Sequence, residues 1–337
     1  MSTTQGALER LLNHIWYGNS LVSWCLIPLT WPVRWAIHCR RWRAAPKGAT
    51  PEGITVIVVG GLTAGGTGKT PVLIGLGKWL AEQGYRVGVV SRGYGGTHGP
   101  EPRSVKGLDA AAVVGDEPLL IHRELGAPVV VCADRKRALG LLVDQGAADV
   151  VLSDDGLQHY PMPRDIELVV LDAERGLGNG RLLPAGPLRE PASRLASVDV
   201  VLERNSRDPN RGFTYQPSGA LHLASGRQVT WSECSGEWRN QSIVAITGLG
   251  QPAQFYEMLR VHGLSIEVES LGDHKAMTQA QLDRRDEQVV LITAKDAVKL
   301  PGCADPRVWA VAIEVALPSS LLTRLTALLP PARFFEA

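Results

Sequence analysis

The chain has 337 residues with 45% hydrophobic content, enough for two domains with buried cores. A formal net charge of +1 gives no electrostatic reason to expect nucleic acid as a partner. Five scattered cysteines (Cys25, Cys39, Cys132, Cys234, Cys303) argue against a disulfide framework or a cysteine zinc site, and fit a reducing cytosol.

Leu8, Leu11, Leu12 and Ile15 recur at helical spacing, so the chain is expected to open with an amphipathic helix. Five of the nine tryptophans fall in the first 42 residues: Trp16, Trp24, Trp31, Trp35 and Trp42. Asn19, Ser20, Pro28, Pro32 and Arg34 interrupt the apolar run, which excludes a spanning helix of about 20 residues. The apolar part comes too late for a signal peptide, and no small-residue cleavage site follows it. Tryptophan with a basic flank (Arg40, Arg41, Arg43) suits the headgroup layer of a bilayer, so residues 1–45 are expected to lie on a membrane surface. The competing reading is a helical pair packed on the core with its tryptophans buried.

Residues 45–51 read as a linker, and an α/β domain over 46–220 follows it. The apolar run Ile54–Val59 stops at Gly60-Gly61, and a loop over Thr63, Ala64, Gly65, Gly66, Thr67, Gly68, Lys69 and Thr70 precedes a helix expected over 71–83. Strand, glycine-rich loop and helix in this order form a P-loop, whose backbone N–H groups hold nucleotide phosphates at the positive helix end. Lys69 is expected to reach the β- and γ-phosphates and Thr70 to bind magnesium. The strict pattern has glycine where this chain has Thr63; Gly65 and Gly66 supply the backbone freedom.

Further strands are expected over 86–90, 128–131, 150–152, 166–171 and 198–202, with a helix over 135–145. Their alternation predicts a parallel sheet of P-loop NTPase type covered by helices, with ligands at the carboxyl ends of the strands. Arg92 follows the second strand, where a phosphate contact and a solvated turn fit the spacing equally. Asp116 and Glu117 open a helix, for which favourable dipole electrostatics is the first explanation. Arg135 opens another helix, where a cation implies a nearby anion. The strand at 150–152 runs into Asp154-Asp155-Gly156, a carboxylate pair suited to magnesium; Asp172 ends a competing strand. Residues 182–191 form a Pro/Gly loop carrying Arg189 and Glu190. Residues 221–240 read as a hairpin-like connector, and 241–337 as a smaller second α/β domain carrying Asp273-His274 and Thr293-Ala294-Lys295-Asp296-Ala297-Val298-Lys299.

Taken in order, Thr63 to Pro71, Ser91-Arg92-Gly93-Tyr94-Gly95, Gly115-Asp116-Glu117-Pro118, Asp154 to His159, Leu183 to Glu190 and Lys295 to Lys299 resemble the tetraacyldisaccharide 4′-kinases, the lipid A kinases of Gram-negative bacteria. The resemblance spans nearly the whole chain. It implies a peripheral enzyme on the cytoplasmic face of the inner membrane that uses ATP and Mg2+ to phosphorylate the 4′-hydroxyl of a lipid A disaccharide precursor. It also implies a catalytic pair, Asp116 and His274, a metal group of Asp154, Asp155 and Glu190, and phosphate contacts from Arg92, Arg135 and Arg189. The family commonly has an aromatic residue after its Asp-His; here Lys275-Ala276-Met277 follows. Without the resemblance, a P-loop kinase of a soluble small molecule and a membrane-associated nucleotide switch both remain open.

Overall fold

The computed structural model describes residues 11–18, 20–44, 49–272 and 275–332. The first sheet has eight strands: β1 (Thr55–Gly60), β2 (Val87–Ser91), β3 (Arg103–Ser104), β4 (Val129–Val131), β5 (Val150–Asp154), β6 (Ile166–Asp172), β7 (Val200–Arg204) and β8 (Gly212–Phe213). Their order is β3-β4-β2-β5-β1-β6-β7-β8, and only the edge pair β3–β4 is antiparallel. Every residue of β1 is buried. Ile57 and Val59 enter one core cluster and Val56 and Val58 the other, as a strand's two-residue period requires when both faces are covered. Leu73, Leu76 and Leu80 of α2 (Lys69–Glu82) and Leu119 and Ile121 of α3 (Asp116–Leu125) cover the first face. Ala138, Leu139 and Leu142 of α4 (Arg135–Asp144) cover the second. Each of these buried leucine and isoleucine side chains contributes about 1.5–3 kcal/mol relative to exposure.

Register sets the site. β5 pairs with β1 so that Asp154 lies opposite Val59, one residue before the strand ends. β2 pairs with β5 through Val90 and Ser153, which brings Ser91 beside Asp154.

The second sheet comprises β9 (Tyr215–His222), β10 (Gln228–Thr230), β11 (Ile243–Thr247), β12 (Glu267–Ser270), β13 (Val289–Thr293) and β14 (Val308–Val315), in the order β10-β9-β14-β13-β11-β12. β9 and β10 form an antiparallel hairpin, but β9 starts at Tyr215 and pairs with β14, so this sheet begins before the expected connector. The strand reading of the connector does not extend to 231–238, which forms α5 (Trp231–Trp238). Thr230 and Glu233 close a capping box there, satisfying helix-end groups that a strand would need to pair elsewhere. The last described helix, α6 (Ser319–Leu328), returns to the first sheet, where Leu321 and Leu325 join its core.

The N-terminal segment is both docked and exposed. Residues 11–17 are helical, with Ile15 buried; Leu8 of the expected amphipathic pattern lies outside the described residues. Trp16 Nε1 donates to the Pro184 carbonyl at 3.0 Å, and the Arg181 guanidinium lies 3.9 Å from the Trp24 ring centroid. Val33 and Ile37 of α1 (Thr30–Trp42) pack against the first-sheet core. Trp24, Trp31, Trp35 and Trp42 are nevertheless 63%, 69%, 70% and 90% exposed, so packing does not account for them. Among the described residues, no helix is long and apolar enough to cross a membrane.

Candidate active site

The loop after β1 is built by glycines and braced by a distant segment. Gly65 and Gly68 adopt positive φ of 104° and 85°, and Gly68 caps α2. A Cβ on Gly68 would lie 1.6 Å from the Tyr215 hydroxyl, which donates to the Gly68 carbonyl at 3.1 Å. Thr63 forms an isolated antiparallel bridge with Leu188, while Ala64 N donates to Pro187 O at 2.8 Å and Arg189 N to Leu62 O at 2.7 Å. Thr63 thus sits in bridged backbone without positive φ, and needs no glycine.

Lys69 reaches back to Asp155, its Nζ 3.6 Å from Oδ1, and Arg189 Nη1 lies 2.8 Å from Oδ2. Asp155 has φ 46°, uncommon for a residue with a side chain. Arg135 holds that turn, its Nη2 donating to the carbonyls of Asp154 and Asp155 at 3.1 and 3.0 Å. Arg135, expected as a phosphate contact, thus also has a backbone role: it holds the turn through two carbonyl oxygens. Burial pushes the Asp155 carboxyl upward, but Lys69 and Arg189 outweigh it and hold the group below the usual range. Asp154 differs. Ser91 Oγ donates to its Oδ2 at 3.0 Å, while burial, and then the charges of Glu117 and Asp155, push its pKa up to about 7.

A divalent cation fits this arrangement. A buried carboxylate crowded by like charge gains from a cation, and Thr70 on the first turn of α2 lines the same cavity as Asp154 and Asp155. Among the described residues no three His, Cys, Asp or Glu side chains converge as a metal cluster. Hydroxyl, carboxylate, phosphate and water oxygens are the ligand set that magnesium takes. Glu190, expected in the same metal group, does not line this cavity. Its fully buried carboxylate accepts from Gln158 Nε2 at 2.9 Å and from the Tyr160 hydroxyl, and lies 3.4 Å from Arg194 Nε. Gln158 in turn donates to the Gly61 carbonyl at 3.1 Å, so Glu190 braces the loop from beneath. Asp172, the competing strand end, is paired with Arg204.

Asp116 is the first residue of α3, after Gly115 at φ 94°. Its Oδ1 accepts from Glu117 N at 3.1 Å, and its Oδ2 lies 3.8 Å from Lys295 Nζ and 3.6 Å from Lys299 Nζ. The expected partner His274 lies outside the described residues. Lys295 and Lys299 had no role in the sequence reading, although their spacing was visible; long-range pairing with Asp116 is not.

The loop, Thr70, Arg92, Arg135, Asp154, Asp155 and Arg189 line one cavity of about 990 Å³ between the two sheets. Leu249, Phe255, Met258, Val311 and Ile313 of the second sheet unit form its opposite wall. Arg40 and Arg43, from the end of the tryptophan-bearing segment, reach its rim.

Four similarities to known proteins bear on this architecture. The family model for tetraacyldisaccharide-1-P 4'-kinase matches residues 22–330. A tetraacyldisaccharide 4'-kinase of Alcanivorax borkumensis is 40% identical over 321 residues, covering 95% of this chain and 97% of its own. One from Legionella pneumophila (strain Corby) is 38% identical over 310 residues, covering 92% and 94%. The crystal structure of LpxK from Aquifex aeolicus in complex with ATP superposes with a TM-score of 0.73 at 25% identity, covering 91% of this chain and 99% of that one. With the match running from the N-terminal helices to the end of α6, the chain belongs to the tetraacyldisaccharide-1-P 4'-kinase family.

Proposed function

We propose that this chain transfers the γ-phosphate of ATP to the 4′-hydroxyl of a tetraacyldisaccharide 1-phosphate, a step in lipid A biosynthesis. The observation that carries the reading is the family match over 22–330, joined to a P-loop, a carboxylate pair and three arginines lining one cavity. Backbone N–H groups of Gly65 to Thr70 bind the phosphates, and Lys69 neutralises charge where the bond breaks. Magnesium, when bound by Thr70 and Asp154 beside Asp155, supplies positive charge to the phosphate oxygens. Arg92 and Arg189 add cations at the cavity wall, and Arg135 fixes the turn that carries both aspartates. A sugar hydroxyl needs a base as it attacks, and Asp116 takes that proton, with His274 as its partner in proton removal.

The same reading places the enzyme at a membrane surface. Its acceptor is a lipid whose acyl chains remain in the bilayer, and the exposed Trp31, Trp35 and Trp42 beside Arg40 and Arg43 suit the headgroup layer. This supports peripheral attachment on the cytoplasmic face of the inner membrane, where ATP is available. The test is incubation of the full chain with γ-labelled ATP, Mg2+ and tetraacyldisaccharide 1-phosphate in mixed micelles. Labelled lipid is the expected product. Label appearing only in inorganic phosphate would favour the nucleotide switch and contradict the kinase.

A further inference from the structure

The segment Lys295 to Lys299 joins the two sheet units at Asp116. Asp296 is its fixed point: its buried carboxylate accepts from Thr247 Oγ1 at 2.7 Å, Thr293 Oγ1 at 2.6 Å and Gly248 N at 3.1 Å. These partners sit at the carboxyl ends of β11 and β13, so Asp296 is rigidly tied to the second sheet. Lys299 Nζ lies 3.6 Å from Asp296 Oδ1 and 3.6 Å from Asp116 Oδ2. Its side chain is only 9% exposed, and Nζ has no closer hydrogen-bond partner among the described residues. Lys295 Nζ pairs with Glu117 Oε1 at 2.7 Å and faces the cavity. Lys299 does not line the cavity, so its ammonium serves the two carboxylates it lies between.

We propose that Lys299 is a positioning residue for phosphoryl transfer: held by Asp296 of the second sheet unit, it fixes the Asp116 carboxylate of the first. A carboxylate with one oxygen on its own helix N-terminus and the other facing a buried ammonium has lost most of its rotational freedom. Removing Lys299 loosens that hold, because Lys295, 3.8 Å from the same oxygen, is drawn closer to Glu117 at 2.7 Å. A shift of about 1 Å in a catalytic group costs up to about 10²-fold in rate. The inference rests on the reading of Asp116 as the base.

The experiment compares Lys299→Met, Lys299→Arg, Asp296→Asn, Asp116→Asn and the Lys299→Met/Asp116→Asn double variant of the full chain, assayed with ATP and tetraacyldisaccharide 1-phosphate. Lys299→Met is expected to lower kcat by about 10- to 10²-fold with KM for ATP within about twofold. Lys299→Arg is expected to regain most of that loss, and Asp296→Asn to lose less, in the same parameter. The double variant is expected to be no slower than Asp116→Asn alone, as residues acting through one another behave. Multiplicative losses in the double variant, a raised KM with unchanged kcat, or no loss in Lys299→Met would each overturn the inference. Should Lys299→Met not fold, a loss in Asp296→Asn that persists undiminished in an Asp116→Asn background overturns it equally. An unchanged kcat in Asp116→Asn removes the base itself, an outcome distinct from a slow Asp116→Asn with a fast Lys299→Met.

Discussion

The two walls of the cavity solve different problems. The first-sheet wall is charged and held at strand ends: Lys69, Arg135, Arg189, Asp154 and Asp155 contact one another directly or through backbone carbonyls. The second-sheet wall is mostly apolar, with Phe255, Met258, Val311 and Ile313 facing the space and Lys295 as its cation. Charges that must meet a transferring phosphoryl group work best when already oriented, and strand ends and helix N-termini supply that rigidity. An apolar wall supplies contact area and excludes water, and it tolerates looser geometry. Substitutions on the first wall should therefore act mainly on the rate of transfer, and those on the second mainly on binding.

The largest expected effect is that of Lys69→Ala. Removing the cation that approaches the phosphates should lower kcat by about 10²- to 10³-fold or more, read in the labelled-lipid assay. Near-normal turnover would break the comparison at its strongest point. Next comes Asp154→Asn, which keeps the shape and the Ser91 contact but removes the charge. Half-maximal activity should then need about tenfold or more magnesium, measured by titrating Mg2+ at fixed ATP. An unchanged magnesium curve would take Asp154 out of the metal site.

Much of this first wall was legible in the sequence, because its residues sit in runs that announce themselves locally. Gly68-Lys69-Thr70 follows an apolar strand, and Asp154-Asp155-Gly156 ends one. Asp172 shows the limit: it also ends an apolar strand, and while the adjacent pair Asp154-Asp155 favoured the other strand end, the pairing of Asp172 with Arg204, from the neighbouring strand β7, left no trace in the sequence. The partners of Glu190 were equally hidden, since Gln158 and Tyr160 lie about 30 residues away in sequence. The second wall was less legible. Strands β11, β13 and β14 were readable as apolar runs, but the start of that sheet at Tyr215 depends on antiparallel pairing with β14. Pairing across that distance leaves no local pattern, whereas the capping box at Thr230 and Glu233 was present in the sequence and marks the helix that a strand reading missed.

Two smaller effects sharpen the contrast. Met258→Ala on the second wall should raise a substrate KM by a few-fold, on the order of one side chain's contact, and leave kcat nearly unchanged. A kcat loss as large as that of Lys69→Ala would mean the walls are not separable. Smallest in the transfer assay is the paired Trp31→Ala/Trp35→Ala variant, which should leave ATP binding intact. Its co-sedimentation with anionic vesicles should fall, and binding of the unaltered chain should weaken but persist as salt rises, since each basic residue adds only about 1 kcal/mol of screened attraction. Equal sedimentation of variant and parent would assign those tryptophans no membrane role.

The most direct test of the whole account is phosphorus NMR of the lipid recovered after the full chain has acted on tetraacyldisaccharide 1-phosphate with ATP and Mg2+. The expected spectrum shows a second phosphate resonance, a monoester coupled to the proton at the 4′ carbon, with the anomeric 1-phosphate resonance retained and one ADP formed per lipid. ADP accumulating with inorganic phosphate while the lipid keeps its single resonance, or a new phosphate on any other carbon, would contradict it.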